Sequence, residues 1–364
     1  MQTDERELFQ PFRFRSGVTI ENRMAMAPMT TWAGNTDLTV SEDEIEYYKI
    51  RVNGVGLVIT GCTHVTKNGQ GFTDEFAAYE DSYVPSLKRL AETAKSGGAP
   101  AVLQIFHAGN KTLPDLDVVG PSDISGDSKT VRELTNEEIL DIIEAFKETT
   151  RRAVEAGFDG VEIHGAHGFL VQNFWSPGTN KRTDEWGGSL EKRLRFPHEV
   201  IKAVRSAIDE YAQKPFMLGY RLSPEESSDP DGLRIEDTFK LVEFLETENI
   251  DYVHISLGDA AGTPVGNYDQ PTVRLISERT ELPVMAAGSI ATPEAARNIN
   301  SLGADLIAVG RGLIIDPRWV ELFKENQEES IETVIKKSDS EHLKIPDKLW
   351  KIFEQRKGWL NIEE

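Results

Sequence analysis

Eight short runs of apolar and β-branched residues, each followed by a stretch of helical character, constrain the fold of this 364-residue chain more than any other feature. The runs are Met24–Met29, Gly56–Cys62, Ala101–His107, Gly160–His164, Phe216–Leu222, Tyr252–Leu257, Pro283–Ile290 and Leu306–Gly310. A strand covered on both faces reads as a continuous apolar run, and strands that alternate with helices pair in parallel. Thr135-Asn-Glu-Glu138 ahead of Ile139–Ala156, and Thr292-Pro-Glu-Ala295 ahead of Ala296–Leu302, carry helix start signals. Eight such units predict an α/β closed barrel, the (β/α)8 TIM barrel. A doubly wound sheet is the alternative, but no Gly-x-Gly-x-x-Gly turn joins a strand to a helix as a dinucleotide-binding half requires. No linker rich in Pro, Gly or Ser divides the chain, so residues 1–364 are expected to form one domain, with the barrel over about 24–325 and a tail over about 326–364.

The flanking segments complete that plan. Phe12-Arg-Phe-Arg-Ser-Gly-Val-Thr-Ile20 reads as a hairpin that plugs the bottom of the barrel. The connection from Gly109 to Val131 is too long for an ordinary strand-to-helix loop and is expected to cover or border the site. Charge dominates Lys324–Lys344, which predicts a solvated helical tail, whereas Trp350 and Trp359 imply that the last residues dock on this barrel or on a partner subunit. Asp and Glu number 61 against 40 Lys and Arg, a formal charge of −21, which disfavours a nucleic-acid or anionic-membrane surface. The single cysteine, Cys62, leaves no intrachain disulfide and no four-cysteine cluster. The charged Met1–Leu8 does not resemble a signal peptide and no run approaches ~20 apolar residues, so a cytoplasmic, non-membrane protein is expected.

The fourth run ends in His164-Gly-Ala-His167, two imidazoles placed where a buried strand stops. Active sites of such barrels gather at these ends. Two neutral imidazoles three residues apart can donate to one oxygen atom, which suits a carbonyl, nitro or phenolate group; a metal site or a pair of structural histidines are the competing readings. The other ends carry Met29-Thr30, Cys62, Gln104 with His107, Arg221, Ser256, Gly288 and Gly310-Arg311. They contain no lysine for a Schiff base, no carboxylate pair for a retaining glycosidase and no His/Asp cluster for a metal hydrolase. Glu162, two residues before His164, is either a buried structural partner or a base.

Ala286-Ala-Gly-Ser-Ile290 and Ala308-Val-Gly-Arg-Gly312 place glycines, and one arginine, on the last two strands, where barrels of this kind bind phosphate; tight strand-to-helix packing would use glycine as well. A glutamine amide such as that of Gln104 matches an imide edge, and a cation such as Arg221 suits the pyrimidine edge of a reduced flavin, unless Arg221 is buried against a structural carboxylate.

With these residues in view, the chain resembles the Old Yellow Enzyme family of FMN-dependent NAD(P)H oxidoreductases. The resemblance runs from Leu8-Phe-Gln-Pro-Phe12 and Asn22-Arg-Met-Ala-Met-Ala-Pro-Met-Thr30 through Gln104-Ile-Phe-His-Ala-Gly109 to Gly310-Arg311. Its most specific block is Ala156–Gly168, continued by Phe174–Ser189 and Arg193-Leu-Arg-Phe196. It implies non-covalent FMN, with NADH or NADPH as reductant. Ala27, Pro28, Met29, Thr30 and the backbone of Cys62 would border the isoalloxazine, Gln104 and Arg221 its pyrimidine edge, and Gly288, Gly310 and Arg311 the phosphate. His164 and His167 would hold the substrate oxygen, with Trp32 and Phe169 lining the substrate site. The family commonly has a tyrosine proton donor where this chain has Phe169, so delivery of a proton to carbon needs another source. Longer members add an iron–sulfur site and further domains. Lys357-Gly-Trp359 is similar to the end of one bacterial branch whose basic residue reaches a neighbouring subunit's site, which would place Arg356 or Lys357 at a second protomer of a homo-oligomer; folding of the tail on its own barrel is the alternative.

The implied reaction has two half-reactions in one pocket: NAD(P)H gives hydride to the flavin, then an electron-poor acceptor (a quinone, nitro compound, nitrate ester or α,β-unsaturated carbonyl) takes it. Alternatives are a barrel isomerase or lyase for a phosphorylated metabolite, with Glu162 or His164 as base, and a flavin sensor without turnover.

Overall fold

Strands and helices alternate eight times along the chain, and the strands close on themselves. The computed structural model describes residues 7–126 and 129–363; Met1–Arg6 of the charged amino terminus lie outside the described residues. The barrel strands are β1 (Met24–Met26), β2 (Leu57–Ile59), β3 (Ala101–Phe106), β4 (Gly160–Gly165), β5 (Met217–Leu222), β6 (Tyr252–Ser256), β7 (Val284–Ala287) and β8 (Leu306–Val309). Each pairs in parallel with the next, and β8 returns to β1 through Ile307 opposite Met24. The doubly wound alternative is thereby excluded. Helices fall between the strands, among them Asn136–Glu155, which starts on the expected capping box of Thr135 and Glu138, and Pro293–Ser301, where the Thr292 side chain accepts from the Ala295 amide.

Period-two alternation decides which side chains reach the barrel interior. Val161 and Ile163 of β4, like Leu103 and Ile105 of β3 and Val253 and Ile255 of β6, pack outward against the helices. The intervening positions face in. Towards the bottom they are apolar, with Val102, Met217, Tyr252 and Met285 joined by Phe14 and Ile20 of the amino-terminal hairpin. That hairpin pairs Phe12–Arg13 with Thr19–Ile20 and is tied to the barrel by the Ser16 amide, which donates to Asp251 at 2.7 Å. Above this layer the interior becomes polar. Gly219 permits the change, because a Cβ there would meet the Tyr252 ring at 2.2 Å.

The tail departs from the expectation of a solvated helix over Lys324–Lys344. That stretch forms 3-10 turns at Glu328–Ser330 and Lys337–Asp339 and a short strand, Ile335–Lys336, and only Asp347–Gln355 is α-helical. Ile331, Ile335, Leu343 and Ile345 supply the reason: each is buried in the main core, and the chain turns through left-handed conformations at Asn326, ahead of them, and at Lys344, between the last two. Arg51, fully buried, fastens the tail. Its guanidinium donates to the carbonyls of Leu313 (3.0 Å), Tyr47 (2.9 Å) and Leu343 (2.7 Å), and burial pushes its pKa down to about 10.

Candidate active site

The polar upper end of the barrel opens into a cavity of about 460 Å³ lined by Pro28, Met29, Thr30, Trp32, Cys62, Gln104, His164, His167, Phe169 and Arg221, together with Gly71, Phe72, Lys111, Arg356 and Trp359. The first ten are all residues singled out in the sequence. Strand register explains the assembly: His164 of β4 lies opposite Arg221 of β5, and Gln104 of β3 opposite Glu162 of β4.

His164 is buried, and burial together with His167 and Arg221 holds it well below the usual histidine range, so the ring is neutral. The Ala166 amide donates to its Nδ1 at 3.3 Å, which assigns the proton to Nε2. His167 adopts a left-handed backbone at φ 59°, followed by Gly168 at φ 67°, and this turn brings its ring back beside the first. The two imidazoles meet edge to face with centroids 4.9 Å apart. The His167 ring keeps an edge open to solvent; partial burial, Arg221 and Lys111 nonetheless hold its pKa far down. Its Nε2 lies 2.7 Å from Ser256 Oγ, a hydroxyl that accepts from Arg221 Nη2 at 3.0 Å and can donate its own hydrogen to Nε2, which leaves the imidazole proton on Nδ1. Two neutral N–H groups side by side can stabilise charge that develops on an oxygen between them.

Below the histidines, Gln104 Nε2 donates to Glu162 Oε1 at 2.7 Å, and His254 Nδ1 donates to Glu162 Oε2 at 2.9 Å. Burial alone would raise the Glu162 carboxyl, but His254, Arg221 and Gln104 outweigh it and keep the group ionised. The structural reading of Glu162 therefore holds over the base. Because a carboxylate only accepts, it fixes the Gln104 amide with Oε1 directed away from it. Arg221 Nε is buried and, among the described residues, has no hydrogen-bond partner.

Phe169 packs edge-on against Phe106 and His164, each at 4.9 Å between centroids. Burial pushes the Cys62 thiol up, and its side-chain partner is Thr30 Oγ1 at 3.6 Å, so it is no thiolate nucleophile. His107, at the end of β3, does not line the cavity. Its Nδ1 accepts from Gly109, and burial beside His64 pushes its pKa down to about 3.

Ala27, Gly310 and Arg311 adjoin the cavity through Met29 and Trp359 without lining it, and Gly288 lies beside Leu257 and Ala260. A Cβ on Gly310 would lie 3.2 Å from Met29 Sδ and 3.6 Å from Ala27 Cβ, and Gly288 takes φ 153° where a Cβ would strike the Leu257 carbonyl at 2.6 Å. Arg311 Nη2 donates to Ser289 Oγ at 2.6 Å. Sequence reasoning missed Gly71, Lys111 and Phe72, whereas docking of the tail, with Arg356 at a site, was among its expectations. The over-long connection after Gly109 was the signal for Lys111, and the terminal tryptophans were the signal for the tail; Phe72 left none.

The profile of the NADH:flavin oxidoreductase / NADH oxidase family matches residues 7–330. The chain is a member of that family, the Old Yellow Enzymes. It is 46% identical over 373 residues, and over the full length of both chains, to the probable NADH-dependent flavin oxidoreductase YqiG of Bacillus subtilis (strain 168). It is 37% identical over 96% of its length to the NADH:fumarate oxidoreductase of Klebsiella pneumoniae (strain 342), of which it spans only 39%. Among solved structures, the old yellow enzyme homologue from Zymomonas mobilis superposes with a TM-score of 0.77 at 28% identity, covering 88% of this chain and 92% of that one. This Old Yellow Enzyme is thus an NAD(P)H-dependent oxidoreductase with FMN as cofactor. Among the described residues, no helix is long and apolar enough to cross a membrane, and no group of three or more His, Cys, Asp or Glu could hold a metal ion.

Proposed function

We propose that this enzyme carries hydride from NAD(P)H to electron-poor acceptors, both half-reactions using the cavity above the barrel, and that quinones and nitro compounds serve better than simple enones. The observation that carries the proposal is the neutral His164 and His167 pair, set edge to face in the same cavity as Gln104 and Arg221.

The residues present fit FMN. Gln104 Oε1, turned away from Glu162, offers an acceptor to an imide N–H, and the unpartnered Arg221 Nε offers a donor and a positive charge to the pyrimidine edge. Pro28, Met29, Thr30 and Cys62 border the ring, while Arg311, with Gly288 and Gly310 allowing close backbone approach, stands towards the phosphate. When bound, the flavin supplies a hydride acceptor and donor at N5.

The protein's own share is positioning and charge. His164 Nε2–H and the His167 ring hold the acceptor's oxygen and stabilise the charge that grows there. Trp32, Phe72 and Phe169 form an apolar wall that excludes water. Phe169 has no proton to give, so acceptors that need protonation at carbon are disadvantaged.

Titrating the FMN-loaded protein with a phenol and following the flavin absorbance tests this reading. A spectral shift lost in His164→Ala and His167→Ala is expected. A phenol affinity the same in wild type and both variants would assign the pair a structural role only.

A further inference from the structure

Aspartate and glutamate make up 61 of the 364 residues, yet among the described residues none lines the cavity. Cations do. Arg221 sits deep, engaged with Ser256 and facing Glu162. Lys111 and Arg356 stand at opposite ends of the aromatic wall. Lys111 Nζ lies 5.8 Å from the Phe169 centroid, Phe169 is 6.1 Å from Phe72, Phe72 is 5.4 Å from Trp32, and Arg356 Cζ lies 5.9 Å from Trp32.

Among the described residues, neither side chain is hydrogen-bonded to a carboxylate. Lys111 donates to the His167 carbonyl at 2.6 Å, leaving two of its three N–H groups. The Arg356 guanidinium lies near the Trp32 and Trp359 rings, and among the described residues no carboxylate or carbonyl accepts from it. Arg89 and Arg132, by contrast, are paired with carboxylates, Arg89 with Glu42 and Arg132 with Asp117 and Glu138. A guanidinium between two indoles, 5.9 and 6.0 Å from their centroids, keeps its N–H groups free for a carboxylate or phosphate.

We propose that Lys111 and Arg356 form an anion-recognition pair at the cavity mouth, and that ligands reduced or oxidised here carry an anionic oxygen group beyond the atom held by the histidines. This rests on the acceptor binding between His164 and His167. The anionic group is a carboxylate on the acceptor or the pyrophosphate of the dinucleotide, and the two sources are separable.

The experiment titrates FMN-loaded protein with 4-hydroxybenzoate and its isosteric amide, and with 3-(4-hydroxyphenyl)propanoate and its amide, reading the flavin absorbance. Wild type should bind at least one acid roughly tenfold tighter than its amide, and Lys111→Gln and Arg356→Gln should each reduce that ratio about tenfold, with Arg356→Lys restoring part of it. A parallel pair, NADH against reduced nicotinamide riboside, reads the pyrophosphate in the same variants. Loss of preference in the acid pairs assigns the site to the acceptor, and loss confined to NADH assigns it to the coenzyme. Wild-type ratios near one in all pairs, with the amides bound, would overturn the anion site while leaving the histidine clamp intact. Failure of any phenol to perturb the flavin would instead remove the clamp.

Discussion

Arg311 Nη1 donates to the main-chain carbonyl of Trp359 at 2.9 Å, joining the end of β8 to the last turn of the chain. The same guanidinium reaches Ser289 and faces the Trp359 ring at 6.0 Å. The residue assigned to the cofactor phosphate therefore also anchors the segment that carries Arg356 to the cavity. The tail folds back on its own barrel, and Arg356 lines the cavity of the barrel it belongs to.

Removing that side chain should loosen both partners. Arg311→Ala is expected to weaken FMN binding by ~1.5–3 kcal/mol, the worth of a charge-assisted bond to a dianion, and to speed amide exchange over 356–363. Flavin fluorescence gives the first and hydrogen exchange the second. An FMN affinity equal to wild type would move the phosphate elsewhere.

His164→Ala and His167→Ala should each bind FMN as the wild type does but lose phenol affinity, about tenfold or more per donor removed from a desolvated oxygen. Retention of FMN is part of the expectation, since neither ring touches Gln104 or Glu162 through a hydrogen bond.

Phe169→Tyr restores an acidic proton beside the histidines. Enone turnover should rise, by as much as roughly 10²–10⁴ if general-acid assistance is fully recovered, while quinone turnover changes little. Steady-state rates at saturating acceptor, with flavin reduction fast, provide the comparison. Equal enone rates would mean that another group already delivers the proton.

Glu44 gives a pH prediction remote from the chemistry. It is buried with Thr31 as its side-chain partner, and desolvation raises its carboxyl from 4.5 to about 7. A raised folded pKa means that the native state binds the proton more tightly than the unfolded chain, so this group's contribution to stability falls as pH rises from about 4.5 to about 7 and is flat above. Glu44→Gln should gain on the order of 2–3 kcal/mol relative to wild type at pH 8 and far less at pH 5. Urea unfolding at the two pH values measures it; an equal effect at both would show that the carboxyl is not displaced.

The barrel was legible because both-face burial writes continuous apolar runs and parallel pairing forces helices between them. The strand-end residues were legible for the same reason, since alternation along β3, β4 and β5 sends Gln104, His164 and Arg221 inward together. Charge misled the reading of Lys324–Lys344, where buried Ile331, Ile335 and Leu343 are spaced too irregularly to announce a docked surface. Lys111, Phe72 and Arg356 come from loops and the tail, whose positions depend on contacts distant in sequence. The role of Glu162 was open because type and position alone cannot tell a sealed carboxylate from a reactive one; its bonds to Gln104 and His254 can.

The central claim is that flavin, held above Gln104 and Arg221, is reduced by NAD(P)H and reoxidised by an acceptor clamped by the two histidines. Anaerobic visible spectroscopy of the FMN-loaded protein tests it most directly. The account predicts that NADH or NADPH bleaches the oxidised flavin band and that a quinone restores it, with the restoring step slowed in His164→Ala. Flavin that neither nicotinamide reduces, or that a quinone reoxidises equally fast in His164→Ala and wild type, would contradict it.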